Sequence, residues 1–467
     1  MAVTRYPPTA VGYAAAVAAV GVDAVRFAGG FFEALTGPDW TPVRGESKNP
    51  ETVYRWAHAP IPVTALGAVG DGVTNSLAAF NEAARVASEQ GRPMSIPDGR
   101  YRLEAEFVPP SGLTIQGTGT IVGNSSAAPN SNVIRLTGSN QTLRGFAIDQ
   151  AYMYSGRSVL VDGAQNATID GLRSSNTQSA FVEIKNGAAG TIVTNCRHRG
   201  VGYGVISSDS GLGAITVTDN VFLFDGSGLG DGVEINNPTT GSKDVTISGN
   251  RIVGYRGVLS DAGIGIGLAK CKGGLVIGNT VIGCEADGIH VEDQSTGVLV
   301  MGNRVINSAT HLAASAGILL LYTDHSTVSF NIVIGCTGGH GVMVSGFGND
   351  QYVHDCVVQS NQIIDSWEAG IFLNTTRRAK VFGNVVKNSN TGNNAGYGHI
   401  DLRRIGAATK QNLRAQIMHN TAIDGVISTP GLRVEAGDTG KAMFNDFSEC
   451  ATAISGAGAG FSLANND

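Results

Sequence analysis

The chain has 467 residues, with 32 Lys or Arg against 38 Asp or Glu, a formal charge of −6. So small a charge on so long a chain excludes a protein held on nucleic acid by a basic surface, and 42% hydrophobic residues exclude a disordered one. No run reaches the roughly 18 apolar residues of a membrane span, and 65 glycines, about twice the usual share, ask for one architecture built from many tight turns.

Residues 1–60 contain an Ala/Val-rich stretch, TAVGYAAAVAAVGV, followed by VRFAGGFFEALTGPDW. Arg5 ahead of an apolar run would suit a signal peptide, but Pro7 and Pro8 interrupt the approach and no small-residue cleavage site leads into a polar start. The stretch reads instead as a short helix that packs on the rest of the chain or on a partner subunit. Residues 61–130 are different text. A Gly-Asp-Gly turn precedes an amphipathic helix over 76–89, with Ala79, Phe80, Ala83, Ala84 and Val86 on its apolar side. Gly91 and Pro93 end it, and a strand with a Pro-Asp-Gly turn follows. A solenoid's first coil exposes apolar edges, and this helix suits the role of cap.

The phrases ALGAVGDGVTNSLAAFNEA, SIPDGRYRL and LTIQGTGTI, spanning about 61–122, resemble the start of the pectate-lyase-like superfamily of right-handed parallel β-helices. That group includes phage tailspike depolymerases, polysaccharide lyases, glycoside hydrolases and sugar epimerases. The resemblance implies an all-β parallel β-helix with an N-terminal capping helix and a polysaccharide partner, outside a cell or on a phage virion. It also implies that residues 1–60 attach the protein to a particle or help form a homotrimer. It does not fix the reaction, because the start motif holds no catalytic residue.

Within the coil region 131–450, one phrase recurs from about residue 190 onward: an apolar pair, a small residue, Asn, then alternating apolar residues. The asparagines are Asn220, Asn250, Asn279, Asn303, Asn331, Asn361, Asn384 and Asn420, spaced 23 to 36 residues apart, with weaker copies at Asn195 and Asn445. The period-two alternation is strand spacing, and the repeat length is that of a β-solenoid coil, giving about 10–12 coils. Stacked asparagines can bond to one another in a ladder, an architectural role. Cys284, Cys336 and Cys450 sit five residues after their asparagines, where other coils place Ser308, Ser366, Ser389 or Gly425, so the cysteines read as small, free, buried residues. No CxxC suggests zinc. Residues 451–467 read as a C-terminal tail.

A second strand in each coil opens with Gly and an aliphatic residue: GVEIN, GIGIG, GIHVE, GILLL, GVMVS and GIFLN. Alternation points Val233, Ile264, Ile289, Ile318, Val342 and Ile371 inward. The outward column is then Glu234 and Asn236, Gly265 and Gly267, His290 and Glu292, Leu319 and Leu321, Met343 and Ser345, Phe372 and Asn374, Asp401 and Arg403, with Glu183 and Lys185 before them. Glu234, Asn236, His290, Glu292 and Asp293 thus gather around a coil whose outward residues are glycine, a trough in which a sugar can approach the sheet. Two carboxylates two coils apart, about 10 Å between backbones, can approach the ~6.5–9.5 Å of inverting glycosidases. His290 can orient substrate or move a proton.

Asp231 and Asp287 read as turn formers, and His340, in Gly339-His340-Gly341, as a turn residue. Lys185, Lys270, Arg403 and Arg404 read as surface charges able to bind an acidic sugar, and Tyr322, Phe372 and Trp367 as stacking faces or packing. Hydrolysis needs two carboxyls and a water, and acids outnumber bases here. Elimination from a uronate needs a neutraliser, Lys185 or Arg403, and a base, His290 or Tyr322, or a Ca²⁺ ion held by Glu234, Glu292 and Asp293, as in pectate-lyase relatives. Epimerisation would use the same elements, and a non-catalytic spike would only bind. Hydrolysis of a polysaccharide is the favoured expectation.

Overall fold

In a computed structural model of the protein, the described residues are 2–6, 25–28, 31–36 and 59–466 without 124–131, 151–155, 208, 210, 226–228, 237–241, 257–262, 311–314, 347–350, 393–396, 405–409, 425–428 and 457–459. Alternating small and aliphatic residues give short parallel strands that stack into three long sheets of 13, 16 and 14 strands. Each strand pairs with its counterpart one coil away, the register of a right-handed parallel β-helix of about 13 coils. The count exceeds the 10–12 expected because both ends join the sheets: Ile61–Pro62 opens the 16-stranded sheet, and Phe461–Ala464, in the stretch read as a tail, closes it.

The one α-helix among the described residues, α1 (Leu77–Glu89), buries Ala79, Phe80, Ala83, Ala84, Val86 and Ala87 against the first coils. Phe80 meets Tyr101 and Phe107 at ring distances of 5.8 and 5.6 Å, so the cap closes the apolar end of the stack. Residues 1–36 contribute Ala2–Tyr6, Val25–Ala28 and Phe31–Thr36, an antiparallel three-stranded sheet. The Ala/Val-rich stretch read as a helix lies outside the described residues. No helix of the described residues is long and apolar enough to cross a membrane.

The asparagine ladder forms as the repeat predicts. Asn303 donates from its backbone N–H and its Nδ2 to Asn331 Oδ1 (2.9 and 3.0 Å) and from Nδ2 to the Val276 carbonyl (2.8 Å), and its own Oδ1 accepts from Asn279. The pattern runs from Asn220 through Asn445 and ends on Asn466. Asn195 is not part of it. Cys196 takes that position and donates its backbone N–H to Asn220 Oδ1 (2.9 Å), while Asn195 turns outward in a left-handed conformation to Asp170. All six cysteines are free, five of them buried, and burial pushes the Cys284 and Cys336 thiols up to about 12.

Candidate active site

The 13-stranded sheet carries the outward residues singled out above. Its register pairs Val233 with Ile266 and Ile266 with Ile289. The middle coil is therefore aligned two residues later than alternation alone suggested. Its outward residues are Gly267 and Ala269, not Gly265 and Gly267, and Ile264 is not in the inward row. The slip arises because GIGIG repeats with period two and offers two equivalent alignments. The outward residues of the middle coil are thus both small, and both are buried. Glu234, Gly267 and His290 form one outward row, and Asn236, Ala269 and Glu292 the next. Glu292 thus stands diagonal to Glu234.

The two turn aspartates belong to the site. Asp231 and Asp287 both precede a glycine at the start of their strand. Asp231 Oδ1 accepts the Ile264 N–H at 2.7 Å and Asp287 Oδ1 the Ala316 N–H at 2.6 Å, so each is fixed to the following coil. The other carboxyl oxygen is directed at the outward side chain three residues on. Asp231 is hydrogen-bonded to Glu234, and Asp287 Oδ2 lies 3.0 Å from His290 Nδ1. His290 Nε2 faces Glu292 Oε2 at 3.4 Å.

Electrostatics follow from this packing. Burial, and the neighbouring Glu234 charge, hold the Asp231 carboxyl well above the usual carboxylate range. Burial also raises Glu234, assisted by the Glu292 charge and opposed by hydrogen bonds from Asp231 and Asn236. Two buried carboxyls in contact oppose each other's ionisation. Tyr203, one coil above Asp231, is raised by burial and by both carboxylates and stays a neutral phenol. Burial acts to lower His290, but Asp287, Glu292 and Asp231 outweigh it and hold the imidazole above its ordinary value. The site presents two carboxyls of raised proton affinity on one side of the middle coil and a carboxylate-flanked imidazole on the other.

The remaining sequence candidates lie elsewhere. Asp293 ends its strand in a left-handed turn (φ 56°), in the turn column shared by Lys270 and Tyr322, and does not point into the outward rows. Glu183 is buried and ion-paired to Arg157, with Lys185 Nζ 3.9 Å away, two coils before Glu234. Phe372, read as a sugar-contacting residue, is fully buried, with its ring 4.3 Å from His340 in a stacked arrangement. Leu319, Met343, Ala316 and Ala369 complete a small apolar core on the outer face of the sheet. Asp401 is likewise buried. It accepts the Gly398 N–H at 2.9 Å and lies 3.7 Å from both Arg403 and Arg433. Neither Phe372 nor Asp401 is open to a substrate. Arg403 lies over the Tyr397 ring at 3.6 Å, and His340 pairs with Glu368 at 3.0 Å in the interior of this cluster.

Sequence reasoning missed Asp231, Asp287 and Tyr203. The signal for the aspartates was present, since Asp-Gly-aliphatic-acid/His occurs twice, two coils apart. A DG turn accounted for them too readily.

Fold and repeat together define a parallel β-helix, and residues 61–290 carry its likeness to the pectate-lyase-like superfamily. Residues 61–290 match the family model described as rhamnogalacturonase A/epimerase, pectate lyase-like, a span that contains Asp231, Glu234, Asp287 and His290. Residues 309–428 match a model described as periplasmic copper-binding protein (NosD). The described residues contain no group of three or more His, Cys, Asp or Glu that could hold a metal ion. No curated protein matches the chain. Among solved structures, a mutant tailspike protein of E. coli bacteriophage HK620 in complex with pentasaccharide is similar, with a TM-score of 0.58 and 12% identity over 89% of this chain and 79% of that one. The catalytic unit of a thermostable α-1,3-glucanase from Streptomyces thermodiastaticus gives 0.51 and 15%, over 88% and 69%. At these identities the likeness is one of fold.

Proposed function

We propose that the protein is a depolymerase that hydrolyses a glycosidic bond of a polysaccharide laid across the middle coil at Gly267 and Ala269. The observation that carries this reading is the contact of the carboxyls Asp231 and Glu234, whose proton affinities burial raises, opposite a second acid, Glu292. Glu234, half-buried and outward, donates a proton to the departing glycosidic oxygen, and Asp231 behind it sets its proton affinity. Glu292 accepts a proton from a water that attacks from the opposite side of the sugar. A diagonal of about 12 Å between backbones, two strand spacings by two residues, leaves room for that water and predicts inversion of configuration. His290, held between Asp287 and Glu292, keeps Glu292 in place and contacts the sugar.

Elimination from a uronate is less well supported. Its base would be His290, whose proton affinity the carboxylates on both sides hold above its ordinary value. Its neutralisers are engaged: Lys185 lies near Glu183, and Arg403 is stacked on Tyr397. Location outside a cell or on a virion, and a trimeric assembly, accord with the tailspike likeness and belong to the same proposal.

The test is degradation of a panel of bacterial-surface and plant polysaccharides, read as new reducing ends and as ultraviolet absorbance of unsaturated products. Wild-type protein is expected to release reducing ends without absorbance. Glu234→Gln is expected to lose at least 10²-fold in kcat with an unchanged melting curve. Full turnover by Glu234→Gln removes the acid assignment, and absorbing products convert the reading to a lyase.

A further inference from the structure

We infer that Trp367 is a sugar-stacking subsite on the rim of the furrow, remote from the carboxyl pair, so that the protein grips a polysaccharide over several units. The inference rests on the proposed polysaccharide reading and deepens it.

Of the three aromatic residues that the sequence offered as stacking faces, Phe372 is fully buried and Tyr322 turns at a strand end. Trp367 is different, being 41% exposed despite its size. It precedes Glu368 and Ala369, the latter in the row of Asp287, Ala316 and His340, so it stands at the furrow's edge three coils, about 14 Å, beyond the His290 coil.

The indole is held ready. Trp367 donates its backbone N–H to the Cys336 carbonyl (2.8 Å) and accepts from Gly392 (3.1 Å), and neighbouring Thr391 and Asn390 bond to Ser366 and Glu368. Gly392 is the second element. A Cβ there would lie 2.5, 2.7 and 2.8 Å from Cε2, Cδ2 and Nε1 of the indole, so the bare glycine backbone faces the ring plane. One ring face rests on that backbone, while the residue as a whole stays 41% exposed. An exposed aromatic face fixed from behind stacks on the apolar face of a pyranose with little ordering cost. The outer apolar core of Leu319, Met343 and Phe372 fills the centre of the sheet between the two places, which leaves the rim as the path of the chain.

The experiment uses the Glu234→Gln protein, which is expected to bind without cleaving, on an immobilised panel of bacterial-surface and plant polysaccharides. Its affinity is compared with that of Glu234→Gln/Trp367→Ala, Glu234→Gln/Trp367→Phe and Glu234→Gln/Gly392→Ala. Trp367→Ala is expected to weaken binding about tenfold on the polysaccharide retained, Trp367→Phe to recover most of it, and Gly392→Ala to weaken it by displacing the ring. Melting curves of the Trp367 variants should match the parent. Equal affinity with and without the indole overturns the subsite and leaves the depolymerase reading intact, as does a change in oligomeric state without a change in affinity. If no polysaccharide is retained by Glu234→Gln or degraded by the wild type, the reading beneath the subsite falls and the subsite with it.

Discussion

Glu234 and His290 occupy the same outward row of one sheet, with only Gly267 between them. A side chain in that middle position would stand between the acid and the imidazole. A Cβ built on Gly267 meets nothing closer than 3.7 Å, the Glu234 Cγ, so the position accepts a small side chain without disturbing the backbone. Gly267→Val is therefore expected to fold with a melting temperature within a few degrees of wild type while kcat/KM falls at least tenfold. Steady-state kinetics on the identified polysaccharide and a melting curve check it, and unchanged kinetics would remove substrate from the middle coil.

The carboxyl pair makes a pH prediction. Burial raises the proton affinity of both members, so the acid form persists to higher pH and activity is lost as pH rises through the raised value. Asp231→Asn keeps an oxygen for the Ile264 N–H but removes one acid from the pair. The alkaline limb of the kcat profile should move to lower pH. The same change bears on stability. A carboxyl whose folded pKa lies above its unfolded one favours folding at low pH and opposes it above, so Asp231→Asn should raise the melting temperature at pH 8 more than at pH 4.

His198 predicts acid sensitivity of the interior. It takes the inward row between Ser174 and Phe222, is fully buried, and stacks on Phe181 with ring centroids 5.5 Å apart. Burial depresses its pKa to about 3. The unfolded chain therefore binds a proton that the folded one does not, and stability falls as pH drops below about 6.5. His198→Phe continues the aromatic packing and should remove a penalty of about 2 kcal/mol at pH 5 and almost none at pH 8. Thermal unfolding at the two pH values decides it, and equal gains at both would point to packing instead of protonation.

The ladder predicts a graded cost. Asn303→Ala strips the side-chain donor from Asn331, leaving the backbone N–H in place, together with the donor to the Val276 carbonyl and the acceptor for Asn279, all buried. A loss of about 2–4 kcal/mol is expected. Asn466→Ala, at the part-buried end, should cost well under half as much. Paired thermal melts test the ranking, and equal losses would show that the ladder does not act through buried hydrogen bonds.

The sequence by itself determined the solenoid, its capping helix, the asparagine ladder and the face of each strand, because period-two alternation and a turn residue repeated every 23–36 positions are local facts that leave one way to bury the apolar side. Glu234, His290 and Glu292 were legible on the same ground. Tertiary structure alone decided along-strand register and depth. GIGIG is consistent with two alignments, and only hydrogen bonding to its neighbouring coils selected Gly267 as the residue between Glu234 and His290. Outward pointing did not mean exposed, since Phe372 and Asp401 lie beneath an outer cluster of residues distant in sequence. Nor could a turn motif reveal that burial raises the proton affinity of Asp231 beside Glu234, because that affinity depends on how much water the surrounding coils exclude.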